Sequence, residues 1–92
     1  MIVYCKLELY LPTVRSLKEK RSIIKSLQKK LQNKFNIAIA EIDKNDIWKN
    51  TVLGVVSISN NSSNLESMIS NIIDFIDDFY EAQISNYTIE YL

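Results

Sequence analysis

From residue 2 to residue 11 the chain alternates, with Val3, Cys5, Leu7, Leu9 and Leu11 on one side and Ile2, Tyr4, Lys6, Glu8 and Tyr10 on the other. A period of two is the mark of a half-buried strand, and Pro12, which cannot donate to a ladder, ends it. The period then changes. Leu17, Ile24, Leu27, Leu31 and Phe35 recur at helical spacing, and Ser16-Leu17-Lys18-Glu19 just ahead of them reads as a capping box that starts a helix at Leu17. After Asn36, "IAIAEI" predicts a second strand, "DKNDIWKN" a turn, and the β-branched "TVLGVVSIS" a third strand closing a hairpin. Asn60 and Asn61 interrupt the pattern, and Ser63-Asn64-Leu65-Glu66 suggests a second capping box. Beyond it Leu65, Ile69, Ile72, Ile76 and Phe79 form an apolar stripe, widened by Met68, Ile73 and Tyr80. "ISNYTIEYL" is a fourth strand.

The order βαββαβ predicts an α+β, ferredoxin-like sandwich: a four-stranded antiparallel sheet with two helices on one face and the other face bare. Ninety-two residues suffice for one shared core, so residues 1–92 read as a single domain. One Gly and one Pro leave little room for linkers or disorder. A single cysteine and no histidine exclude an internal disulfide and the usual metal-ligand spacings, and fit a reducing, cytoplasmic setting. The N-terminal strand is too short and too charged for a signal peptide or a membrane span. No cofactor, metal or membrane partner is expected.

Formal charge is zero, yet it is unevenly placed. Between residues 15 and 34 stand Arg15, Lys18, Lys20, Arg21, Lys25, Lys29, Lys30 and Lys34 against Glu19 alone. From residue 35 onward only Lys44 and Lys49 oppose Glu41, Asp43, Asp46, Glu66, Asp74, Asp77, Asp78, Glu81 and Glu90. Cations at the first turn of a helix add to the partial positive charge of its free amides instead of balancing it, and such a place attracts phosphate. Lys18, Arg21, Lys25 and Lys29 align at spacings of 3, 4 and 4 beside the apolar stripe. With Arg15 and Lys20 they are the candidate footprint for RNA, the ribosome or another polyanion. The alternative is that these charges only solubilise the helix or pair with the acidic second helix.

The bare sheet face offers a second candidate surface. Tyr4 and Tyr10 lie on it, but the third strand has no aromatic residue, so the stacking platform of ferredoxin-like RNA-binding modules is incomplete. With Ile2, these residues make a face more apolar than a monomer usually shows, and a homo-oligomer, a dimer, built through Ile2, Tyr4 and Tyr10 is the competing reading. Glu41, Asp43 and Asp46 precede Trp48 in what reads as ordinary turn chemistry, not a calcium loop. Trp48 either packs over the hairpin end or, if exposed, offers an anchor to a partner. Enzymes such as acylphosphatases share this topology and cradle phosphate between the first strand and first helix. Here that loop, "LPTVRS", has Arg15 but no glycine. With no histidine and a buried-looking Cys5, no nucleophile and base can be paired, and the chain reads as a non-enzyme.

The stretches "RSLKEKRS" at 15 to 22 and "AEIDKNDIW" at 40 to 48 resemble the signatures of the YlxP-like family of small bacterial proteins of unknown function, and the resemblance runs from the opening strand through "VLGVVSISN" to the second helix. It implies a ferredoxin-like fold and gene neighbourhoods that often include transcription and translation factors. It implies no catalytic residues; Arg15, Lys18, Lys20 and Arg21 take from it only the status of a family motif.

Overall fold

The computed structural model describes residues 1–45 and 47–92. The elements follow the expected order: β1 (Ile2–Tyr10), α1 (Leu17–Lys34), β2 (Ala38–Asp43), β3 (Asn50–Ile58), α2 (Ser62–Asp77) and β4 (Gln83–Tyr91). The strands form one sheet in the order β2-β3-β1-β4, each neighbouring pair antiparallel. This is the ferredoxin-like arrangement, with the first strand central and the second and fourth at the edges.

Alternation in β1 decides which side is filled. Val3, Cys5, Leu7 and Leu9 point to the helices and join Leu53 and Val55 of β3, Ile24, Leu27 and Leu31 of α1, and Leu65, Ile69, Ile72 and Ile76 of α2 in one core cluster. Leu11 and Val14 extend that cluster into the β1–α1 loop, so the loop is fastened from within. Each such side chain removed from water contributes roughly 1.5–3 kcal/mol before the entropy cost of ordering it.

The helix starts are built differently from one another. At α1 the expected cap is present: Ser16 is extended, and its hydroxyl oxygen accepts the Glu19 amide at 3.1 Å. At α2 the expected Ser63 cap is replaced by Asn61, whose side-chain oxygen accepts the Ser63 amide at 3.0 Å, and the helix begins at Ser62. Asn61 is among the strongest capping residue types and reaches the first free amides before Ser63 can, which moves the start toward the N-terminus. At the other end α2 stops at Asp77, so Tyr80 lies past the helix and stands 81% exposed instead of widening its stripe.

Two irregularities in pairing shape the sheet, one between Glu8 and Leu9 in β1·β4 and one between Glu41 and Asp43 in β2·β3. The second brings Ile42 across the bare face above Gly54. A Cβ on that glycine would lie 3.1 Å from Ile42 Cγ2 and 3.3 Å from its Cδ1, so the Ile42 side chain would have to shift to admit it.

Candidate polyanion-binding surface

Helix α1 sorts its cations by position. At 100° per residue, Lys20 falls on the same face as Ile23, Ile24, Leu27 and Leu31, and all five are buried. Lys20 is fully enclosed, at 0% exposure, the largest of the fully buried side chains. Its ammonium lies 3.0 Å from Glu41 Oε2 and donates to the Lys44 carbonyl at 2.6 Å and to the Asn45 carbonyl at 3.5 Å. Glu41 also accepts a short hydrogen bond from the Thr51 hydroxyl. Lys20 therefore leaves the candidate anion-binding set. Burying an ammonium is costly unless a carboxylate and further acceptors replace its water, and here they do. The signal was legible in the spacing: Lys20 stands seven residues before Leu27, on the core face and not on the flank.

This cation joins the two stretches that carry the family resemblance. It reaches from the first turn of α1 to the β2–β3 turn, whose backbone is wound tightly around the acceptor. Lys44 has a φ of 59°, and its amide donates to its neighbour Asp43 Oδ1 at 2.8 Å. The Lys44 carbonyl that receives Lys20 also accepts the Ile47 amide at 3.1 Å. Asp43 and Glu41, two of the three acids in the expected turn cluster, are thus engaged by the protein's own groups, and Asp46 lies outside the described residues. At the end of this turn Trp48 is 51% exposed, and Ile47, its neighbour in the chain, is exposed too.

The remaining cations of α1 divide between its two flanks. On the α2 side, Lys30 sits over the Phe79 ring at 5.2 Å, and Lys34 over Phe75 at 5.2 Å and Phe35 at 5.9 Å. These lysines thus meet aromatic rings, Phe75 within α2, Phe79 just past its end and Phe35 at the end of α1 itself, in cation–π contacts, and not the carboxylates of the acidic helix. On the other flank Lys18, Lys25 and Lys29 are exposed, and so is Arg15 in the loop just ahead of the helix. Among the described residues none of these four enters an ion pair. Arg21 lies on the same flank and has a partner within the chain. With Lys25 and Gln28 it borders an open groove whose far wall is Ile39, Ala40 and Glu41 of the edge strand β2.

Nothing in the β1–α1 loop resembles a phosphate cradle. Leu11 and Val14 point into the core, and among the described non-glycine residues only Lys44 has a positive φ. Cys5 is buried in β1, and burial pushes its thiol up to about 11 from 9.0, the opposite of what a nucleophile needs. Tyr4 and Tyr10 project from the bare face as expected, opposite Val56 and Asn50 of β3. Among the described residues no helix is long and apolar enough to cross a membrane.

Comparison with known proteins places the chain in a family without giving it a function. It is 35% identical over 83 residues to the uncharacterized protein YlxP of Bacillus subtilis (strain 168), covering 90% of each chain. A solved structure from structural genomics, protein YJCS, superimposes with a TM-score of 0.60 over 100% of this chain and 99% of its own; at 8% identity that likeness concerns the fold alone. The family model described as "Protein of unknown function (DUF503)" matches residues 2–89, and the chain belongs to that family.

Proposed function

We propose that this protein is a non-enzymatic cytoplasmic accessory module that holds structured RNA, or another polyanion, on the outer flank of α1. The observation that carries the reading is the division of labour among the α1 cations. Lys20 is consumed by Glu41, and Lys30 and Lys34 lie over aromatic rings, whereas Arg15, Lys18, Lys25 and Lys29 face solvent without an acidic partner among the described residues. A row of unneutralised cations starting at a helix N-terminus has a favourable interaction with successive phosphates, and releasing their counterions provides the driving force. Binding of this kind reads charge and shape more than sequence.

A non-enzymatic role is supported by the chemistry available. The chain has no histidine, its thiol is buried with a raised pKa, and the loop that carries Arg15 is fastened by Leu11 and Val14. The test is a low-salt gel shift with ribosomal RNA, using the full chain and a variant with Lys18, Lys25 and Lys29 changed to Gln. The variant should keep its circular dichroism spectrum and lose retention. A variant that folds and retains RNA as well as the parent would refute the assignment.

A further inference from the structure

The bare face of the sheet carries on its central strand the outward row Tyr4, Lys6, Glu8, Tyr10. Lys6 stands between Gly54 and Thr88, and Glu8 between Val52 and Asn86, so neither has a charged residue directly across from it on a neighbouring strand. Neither enters an ion pair among the described residues. Around them Ile2, Tyr10, Ile42, Val56 and Ile58 are exposed.

About Leu7 the row is symmetric in shape and opposite in charge: Tyr4 answers Tyr10, and Lys6 answers Glu8. We infer that this face is the interface of a homodimer, in which a second copy packs sheet to sheet across a two-fold axis lying between the sheets and crossing β1 at right angles near Leu7. Half a turn about that axis reverses β1 and sets Lys6 over the partner's Glu8, Glu8 over the partner's Lys6, and each Tyr4 over the partner's Tyr10. Sheets packed in this way lie about 10 Å apart, a gap that lysine and glutamate stems span.

Charge selects this arrangement over its rival. An axis running along β1 would set Lys6 on the partner's Lys6 and Glu8 on the partner's Glu8, and like charges brought together out of water oppose association. In the crossed arrangement the other charges of the face also avoid a clash: Glu90 is level with Tyr4, and Gln83 with Tyr10, so Glu90 meets the partner's Gln83, while Asp43, level with Val52 and Glu8, meets the partner's Ala40, level with Gly54 and Lys6. An unrelated partner would not require a row antisymmetric about its own midpoint; a second copy does, because an isologous contact that pairs residue 6 with 8 must also pair 8 with 6. The dimer leaves both α1 helices on its outer surfaces, so it stands or falls independently of the polyanion reading.

The experiment is light scattering on the full chain with two single charge reversals. The parent should run at twice the monomer mass of 10.7 kDa. Lys6→Glu and Glu8→Lys should each fold and each weaken dimerisation by about tenfold or more, since every reversal creates two repulsive pairs. Mixed in equal amounts, the two variants should regain the dimer, because one then presents only acids and the other only bases at these positions. A monomeric parent, single variants that dimerise as tightly as the parent, or a mixture that stays monomeric would each overturn the inference. If either reversal unfolds the chain, a Tyr4→Cys chain mixed with a Tyr10→Cys chain reads the same register: a short bismaleimide should join the two kinds to each other, and joining each kind only to itself would sink the proposal.

Discussion

The ammonium of Lys20 lies 3.0 Å from the carboxylate of Glu41, and this contact fastens the first turn of α1 to the hairpin between β2 and β3. Because the lysine is fully buried and the glutamate side chain is only 17% exposed, removing one member strands the other. Lys20→Met should lower unfolding free energy by about 3 kcal/mol, the low end of the range for a broken buried pair because Glu41 keeps some contact with water. Adding Glu41→Leu should recover much of that stability, since an apolar pair of similar volume needs no neutralisation. Urea denaturation of the two single variants and the double variant decides this; a single-variant effect below about 1 kcal/mol would mean that the pair behaves like an exposed one.

That same relationship shows what could be read from the sequence and what could not. The strands and helices were legible because their periods differ, two for Val3 to Leu11 and near 3.6 for Leu65 to Ile76, and because a single turn or cap residue marks most boundaries. Sign of charge was legible too, but its destination was not. Lys20 and Lys18 look alike in composition, and only helical phase separates a cation pointing at the core from one pointing at solvent. The acceptor set for Lys20, carbonyls of Lys44 and Asn45, is made of backbone and has no sequence signature at all. Likewise Lys30 and Lys34 were as free to meet Asp74 and Asp77 as Phe75 and Phe79. The register of two packed helices decided between them, and no local pattern encodes it.

Trp48 is the chain's one tryptophan and half of it meets solvent, so it reports on the hairpin without interference. Native emission should be red-shifted toward that of a hydrated indole, and acrylamide should quench it readily. In Lys20→Met the turn loses its anchor at the Lys44 carbonyl, and the quenching constant should rise further while the circular dichroism spectrum is kept. Equal quenching in parent and variant would show that the turn holds its shape without Lys20.

Burial raises the Cys5 thiol to about 11, above its value of 9.0 in the unfolded chain. A group whose proton is held more tightly in the folded state stabilises that state fully below pH 9 and progressively less as the pH climbs toward 11. Across that window the parent should lose on the order of 2 kcal/mol more than a Cys5→Ala variant. At about pH 8, below the ordinary thiol range, a thiol reagent should modify Cys5 only on unfolding. Rapid labelling of the native protein at that pH would contradict the burial on which the shift depends.

The sharpest contrast lies between the two flanks of α1, because it separates net charge from its placement. Lys25→Gln with Lys29→Gln removes two cations from the solvent flank; Lys30→Gln with Lys34→Gln removes two from the flank over Phe79 and Phe75. Both variants carry the same formal charge, so a bulk electrostatic attraction would weaken equally in each. If the solvent flank tracks phosphates, the first pair alone should flatten the plot of log affinity against log salt by about 1.4–1.8, near 0.7 for each single-strand and 0.9 for each duplex phosphate that is no longer neutralised. The second pair should instead cost stability, about 0.5–1 kcal/mol for each cation–π interaction removed, with little change in slope. Equal slopes in the two variants would show that α1 attracts RNA only as a charged body and that its outer flank forms no site.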